Sequence, residues 1–79
     1  MNLWTKWKDC HDHPSQVDRQ ERAREAILKP LSISGQRAQF QGEEDQYRTT
    51  LLTCSCPDFK KRHKPCKHMY RLAMELDLF

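Results

Sequence analysis

The sequence predicts a small α+β domain: an antiparallel β-hairpin or three-stranded sheet followed by a C-terminal helix, with another helix ahead of the sheet. Three observations carry this. "SQVDRQERAREAILKP" is rich in charge and ends on a proline; "LSISG", "AQFQG" and "QYRTTLLTC" switch to alternating apolar and polar residues; "CKHMYRLAMELDLF" returns to helical spacing.

The opening, "NLWTKWKDC", places Trp4, Trp7 and Cys10 three apart, which fits one face of a helical turn or a strap laid over the core. A helix over about 15–29 comes next. Ser15 and Asp18 have capping-box spacing, Pro30 stops it, and Val17, Ala23, Ala26, Ile27 and Leu28 give it a weak stripe. Such a helix lies on the surface and packs by its C-terminal half.

From residue 31 onward, Gly35 breaks the first alternating run, and Gly42 to Asp45 form a hairpin turn. Ala38 and Phe40 then pack opposite Tyr47, Thr49 and Leu51. In the last helix Met69, Leu72, Ala73 and Leu76 stand at i, i+3, i+4 and i+7, with Pro65 near its first turn. The expected division is an N-terminal segment, 1–30, and a sheet-and-helix unit, 31–79.

Seventy-nine residues, of which 37% are hydrophobic and 32% charged, bury too little apolar surface to stabilise a fold alone. A staple is required. "MNLWTKWKDCHDHPSQ" has no continuous apolar run, and no stretch approaches the length of a membrane span, so no membrane partner is expected. The expected setting is cytoplasmic, beside the nucleoid in a bacterium or nuclear in a eukaryote. In a reducing compartment four unevenly spaced cysteines point to metal rather than disulfides.

"TCSCPDFKKRHKPCKH" holds the candidate ligands Cys54, Cys56, Cys66 and His68. Residues two apart on an extended backbone point the same way, so one strand end delivers Cys54 and Cys56 together. Cys66 and His68 cannot both converge from mid-helix. Pro65 leaves Cys66 in the entering turn and His68 in the first helical turn. Three thiolates and one imidazole close a tetrahedral site for one Zn²⁺, with no position for a substrate, which argues against an enzyme. The −1 charge of the loaded site would sit among Lys60, Lys61, Arg62, Lys64 and Lys67. Those cations and the helix N-terminus favour the thiolates.

The pattern resembles the SWIM-type zinc finger, Cys-x-Cys followed after a gap by Cys-x-His. "CSCPDF" and "PCKH" are wordings typical of that family, and the likeness runs through "AQFQGEEDQYRTTL" and "MYRLAMEL", about residues 31–76. The resemblance implies a ββα zinc unit without enzymatic activity, of a kind found in transposases, helicase-like ATPases and recombination accessory proteins. It implies a role in binding DNA or other proteins. No larger catalytic region accompanies the motif in these 79 residues.

Other residues read more plainly. "CHDH" (Cys10, His11, Asp12, His13) is an ordinary thiol beside surface histidines, and His63 is a solvated loop side chain. Asp58 is a turn residue, Phe59 packs over the hairpin, and Trp4 and Trp7 cover the core. The acid-free run Lys60, Lys61, Arg62, Lys64, Lys67 and Arg71 suits phosphate binding as well as it suits a solvated loop.

Two functions therefore stand. One is a structural zinc module that holds a basic loop against DNA, weakly and with little sequence preference. The other is an adaptor that docks onto a protein of a DNA-processing complex, a helicase, transposase or recombination subunit, through the N-terminal aromatic segment with Trp4 and Trp7 and the charged helix after it. A small-molecule substrate is not expected, since there is no open metal position and no redox Cys-x-x-Cys pair.

Overall fold

Trp4 and Trp7 lie on one side of a 3₁₀ helix, Leu3–Trp7, because three residues per turn stack i over i+3. A computed structural model describes residues 3–25, 28–42 and 45–79. Both indoles are buried. The opening segment is thus a helical turn laid across the core: Trp7 Nε1 donates to the Leu51 carbonyl at 2.8 Å, and its ring meets Phe59 edge-on at 6.4 Å.

Helix α1 spans Pro14–Ala23 rather than 15–29. Three contacts turn the chain away early. Arg71 Nη1 donates to the Ala23 carbonyl at 3.1 Å, the Arg24 and Glu25 amides close back on Glu21 and Arg22, and Leu28 folds against the core. Ala26 and Ile27, part of the expected stripe, lie outside the described residues. The cap also differs from expectation. His13 is the N-cap, its Nδ1 accepting the Ser15 amide at 3.2 Å, while Asp18 pairs with Arg22 instead of forming a capping box.

The buried face of α1 is a second correction. Gln16, Gln20 and Ala23 face inward and Val17 is exposed, so the helix packs along its whole length and largely by amides. Buried amides persist only when hydrogen-bonded. Gln16 Nε2 donates to the Pro65 carbonyl at 3.0 Å and to Tyr70 Oη at 3.1 Å, and Gln20 Nε2 donates to the His11 carbonyl at 2.9 Å.

Strands β1 (Ser32–Ser34), β2 (Arg37–Gln41) and β3 (Gln46–Thr50) form an antiparallel sheet in that order. Gly35, at φ +59°, opens the two-residue turn between β1 and β2, where a side chain would be strained. The register pairs Ala38 with Thr49 and Phe40 with Tyr47, all on the core side as the alternation predicts. Leu51 is fully buried beyond the strand end. At the next hairpin the Gly42 amide donates to the Asp45 carbonyl at 2.7 Å. A Cβ on Gly42 would stand 2.5 Å from that oxygen and 2.6 Å from the Tyr47 ring, so only glycine fits. Glu43 and Glu44 of the expected turn lie outside the described residues.

After β3 comes an unexpected helix, α2 (Pro57–Arg62), followed by α3 (Lys67–Glu75). The segment read as loop therefore begins as one and a half turns of helix. Its signals are present in the sequence: proline at the first helical positions, Asp58 in the first turn, and Lys60, Lys61 and Arg62 in the last. His63, at φ 57°, ends it in the left-handed region. Helix α3 carries Met69, Leu72 and Ala73 into the core and packs against α1, β2 and β3. Trp4, Trp7 and Ala23 share one buried cluster with Phe40, Leu51 and Leu72.

Candidate metal centre

The metal centre sits where three elements end. After β3 the chain turns back so that Cys54 bridges Thr49, which keeps residues 54–56 extended. Cys56 is the N-cap of α2 and Cys66 the N-cap of α3; neither sulfur caps its own helix, so both are free to turn toward the same point. His68 stands one residue inside α3. Its ring is fixed between Phe40 at 4.9 Å and Tyr47 at 5.3 Å. The expected division of labour, with Cys66 in the entering turn and His68 in the first helical turn, is the one observed.

All four side chains are buried, and their ligand atoms lie within 4.8 Å of one another. His68 Nδ1 is 3.8 Å from Cys54 Sγ and 3.7 Å from Cys66 Sγ. Around a tetrahedral zinc, bond lengths of about 2.3 Å to sulfur and about 2.0–2.1 Å to nitrogen put neighbouring donors roughly 3.5–3.8 Å apart. The residues fit the ion. Among the described residues no other group of histidines, cysteines and carboxylates gathers in this way.

The protonation pattern follows from this crowding. Hydrogen bonds from Cys54 and then Cys66 hold the Cys56 thiol far below the usual thiol range. As donors in the same cluster, Cys54 and Cys66 are pushed up. A divalent cation binds the cysteines as thiolates and so displaces the protons that this crowding would otherwise hold on the cluster. The Thr49 hydroxyl, 3.3 Å from Cys54 Sγ, supports that sulfur from the sheet. A cleft of about 620 Å³, edged by Arg22 and Lys67, lies beside Cys56, Cys66 and His68.

The chain between the ligand pairs is held by α1. Arg19 grips Asp58 through two hydrogen bonds of 2.7 and 2.8 Å, which keeps the Asp58 carboxyl below the usual carboxylate range. Gln16 holds the carbonyl of Pro65, the residue before Cys66. Arg62 reaches Gln16 Oε1 and Ser15 Oγ and pairs with Asp58 at 3.6 Å. None of these positioning residues was evident from ligand spacing; Arg19 and Gln16 lie some forty residues or more away from their partners in sequence.

The six basic residues singled out in the sequence divide into two groups. Arg62 is half-buried in the contacts above, and Arg71 pairs with Glu75 at 2.9 Å while capping Ala23. Lys60, Lys61, Lys64 and Lys67 are exposed and make no ion pair among the described residues. His63 is exposed and outside the metal cluster, its ring against Phe59 at 5.9 Å. Cys10 donates to the Trp7 carbonyl at 3.1 Å, and burial pushes its thiol up. His11 differs from the expected surface residue: it is half-buried, bonded to Tyr70 Oη at 2.8 Å and stacked on Trp4.

No curated protein and no solved structure matches the chain. The family model of the SWIM zinc finger matches residues 40–77, which include β3, both helices that follow it and all four clustered ligands. The extended Cys54–Cys56 arm, the Cys66–His68 helix entry and that match agree, and residues 40–77 of this chain are a SWIM zinc finger.

Proposed function

We propose that this chain is a structural zinc module that contacts DNA phosphates through the lysines of α2, of the loop after it and of the start of α3. The observation that carries the reading is the fate of the basic run. Two arginines are consumed in holding the fold, while Lys60, Lys61, Lys64 and Lys67 remain exposed and unpaired among the described residues. Lys60, Lys61 and Lys64 stand between the ligands Cys56 and Cys66, on a segment tied to α1 through Arg19–Asp58 and Gln16–Arg62, and Lys67 stands between Cys66 and His68. A preorganised cationic surface loses little side-chain and backbone freedom on meeting a polyanion. Lys6 and Lys8, exposed on either side of Trp7, add charge from the segment that packs on Phe59. Lysines of this kind position a duplex without reading it.

Fluorescence anisotropy against duplex DNA tests the proposal. Neutralising about four phosphates gives a slope of log K against log[salt] near −3 to −4. Replacing Lys60, Lys61 and Lys64 together by Glu should abolish binding at moderate salt. Binding that survives this change, or no binding at low salt, would remove the proposal.

A second reading, docking onto a protein of a DNA-processing complex, draws on a different surface. Strand β1 is a short sheet edge, and Leu31 and Ile33 are 52% and 40% exposed there. Trp4 and Trp7 do not serve it, since both are buried. Capture of a partner that resists nuclease and depends on Leu31 and Ile33 would favour this reading.

A further inference from the structure

The sheet has a second face, and its composition is unusual. Strand alternation directs Arg37, Gln39 and Gln41 of β2 and Gln46 and Arg48 of β3 away from the core, and all five are exposed. The register aligns them into rows: Gln41 opposite Gln46, Gln39 opposite Arg48, Arg37 opposite Thr50. Ser32 and Ser34 of β1 extend the last two rows, beside Gln39 and Arg37. A shallow concavity of about 500 Å³ runs over Ser32, Ser34, Arg37, Gln39, Arg48 and Thr50.

Two features set this face apart from an ordinary solvated one, where both signs of charge are interspersed. The chain has eleven acidic residues, and none occupies an outward position on the three strands; no lysine does either. The side chains of Arg37, Gln39, Gln46 and Arg48 also make no hydrogen bond or ion pair among the described residues. What remains is a ribbon of guanidinium and amide groups on a rigid backbone.

We infer that the outward face of the β2–β3 ribbon reads base edges in the major groove of duplex DNA. The inference rests on the proposal that the lysines of α2 contact DNA, and it adds the sequence preference those lysines cannot supply. Arginine pairs bidentately with guanine O6 and N7, and glutamine with adenine N6 and N7; a groove about 12 Å wide admits a two-stranded ribbon. Strands about 4.8 Å apart offer both rows to one groove. On the strand positions themselves the two guanidiniums meet no carboxylate and so complement a polyanion, the acids of this hairpin being confined to its turn, where Asp45 is exposed. Double-stranded RNA does not fit, because its major groove is too deep and narrow for side chains to read.

The test is selection from a random duplex library with the zinc-loaded full chain, followed by anisotropy on the enriched duplex and a scrambled one. A short enriched motif is expected. Arg48→Ala and Gln39→Ala should each lose about tenfold of the preference for that motif while scrambled-duplex affinity barely changes. The triple Glu variant of Lys60, Lys61 and Lys64 should weaken both duplexes alike and flatten the salt slope. If the wild type enriches nothing, or both alanine variants keep its preference, the ribbon inference fails while the lysine reading stands. Tighter binding to double-stranded RNA than to DNA also overturns the ribbon. No duplex binding at about 50 mM salt overturns both.

Discussion

The metal centre and the N-terminal segment solve the same problem with different chemistry. Around Cys54, Cys56, Cys66 and His68, four buried polar side chains converge on one point where a single ion satisfies them all. Around Tyr70, the buried polar groups satisfy one another: its hydroxyl meets His11, Gln16 and Gln20 at 2.8, 3.1 and 3.4 Å, inside a ring of Trp4 and Phe79. Helix α3 supplies both His68 and Tyr70 and so joins the two. A domain this small gains its uniqueness from polar groups that have few alternative partners, and apolar burial fills the space between them.

The comparison can be broken most severely at the metal. His68→Ala or removal of zinc by a chelator should unfold the finger, since structural zinc contributes an apparent ~10–16 kcal/mol in small fingers. Loss of near-UV dichroism and of amide protection in residues 40–77 is the expected readout. The pH dependence has a definite sign. Zinc takes its cysteines as thiolates, so zinc binding near neutral pH should release protons and weaken as pH falls. Proton release measured in weak buffer checks this.

The polar hub should respond less, but still clearly. Gln16→Ala strips partners from the Pro65 carbonyl, Tyr70 Oη and Arg62 at once. A loss of about 2–3 kcal/mol by urea unfolding is expected, because buried groups are left unsatisfied. The same variant should also bind zinc more weakly, as Pro65 adjoins Cys66. A stability loss with unchanged zinc affinity would show the two regions to be independent.

Smaller effects come from the hairpin and the surface clamp. Gly42→Ala forces a Cβ against the Asp45 carbonyl and the Tyr47 ring, which should cost about 1–3 kcal/mol by thermal unfolding. The partly exposed Arg19–Asp58 bridge should contribute no more than about 1 kcal/mol. Arg19→Ala should therefore leave the fold intact while raising hydrogen exchange across α2.

The same division decides what could be read from the sequence. The metal half was legible because coordination fixes residue types and local spacing: Cys54-x-Cys56 needs an extended arm and Cys66-x-His68 a helix entry. Period-two alternation likewise placed Ala38 and Phe40 inward. The N-terminal half was not legible in this way. Hydrophobic patterning favours Val17, which is exposed, and overlooks Gln16 and Gln20, whose burial depends on partners fifty or so residues distant. Helix propensity carries "RAREAILKP" onward from Ala23, yet the Arg71 cap and the docking of Leu28 end the helix there. Helix α2 fell between these cases. Its proline and charge signals were local, but a six-residue helix between metal ligands is too short to show a periodic stripe.

The account depends on one ion bound by Cys54, Cys56, Cys66 and His68. Native mass spectrometry of the reduced protein, paired with an amide proton spectrum before and after chelation, tests it most directly. One zinc per chain, with dispersed finger resonances that collapse when the metal leaves, is the predicted result. A dispersed, unchanged spectrum from protein carrying no metal would contradict it.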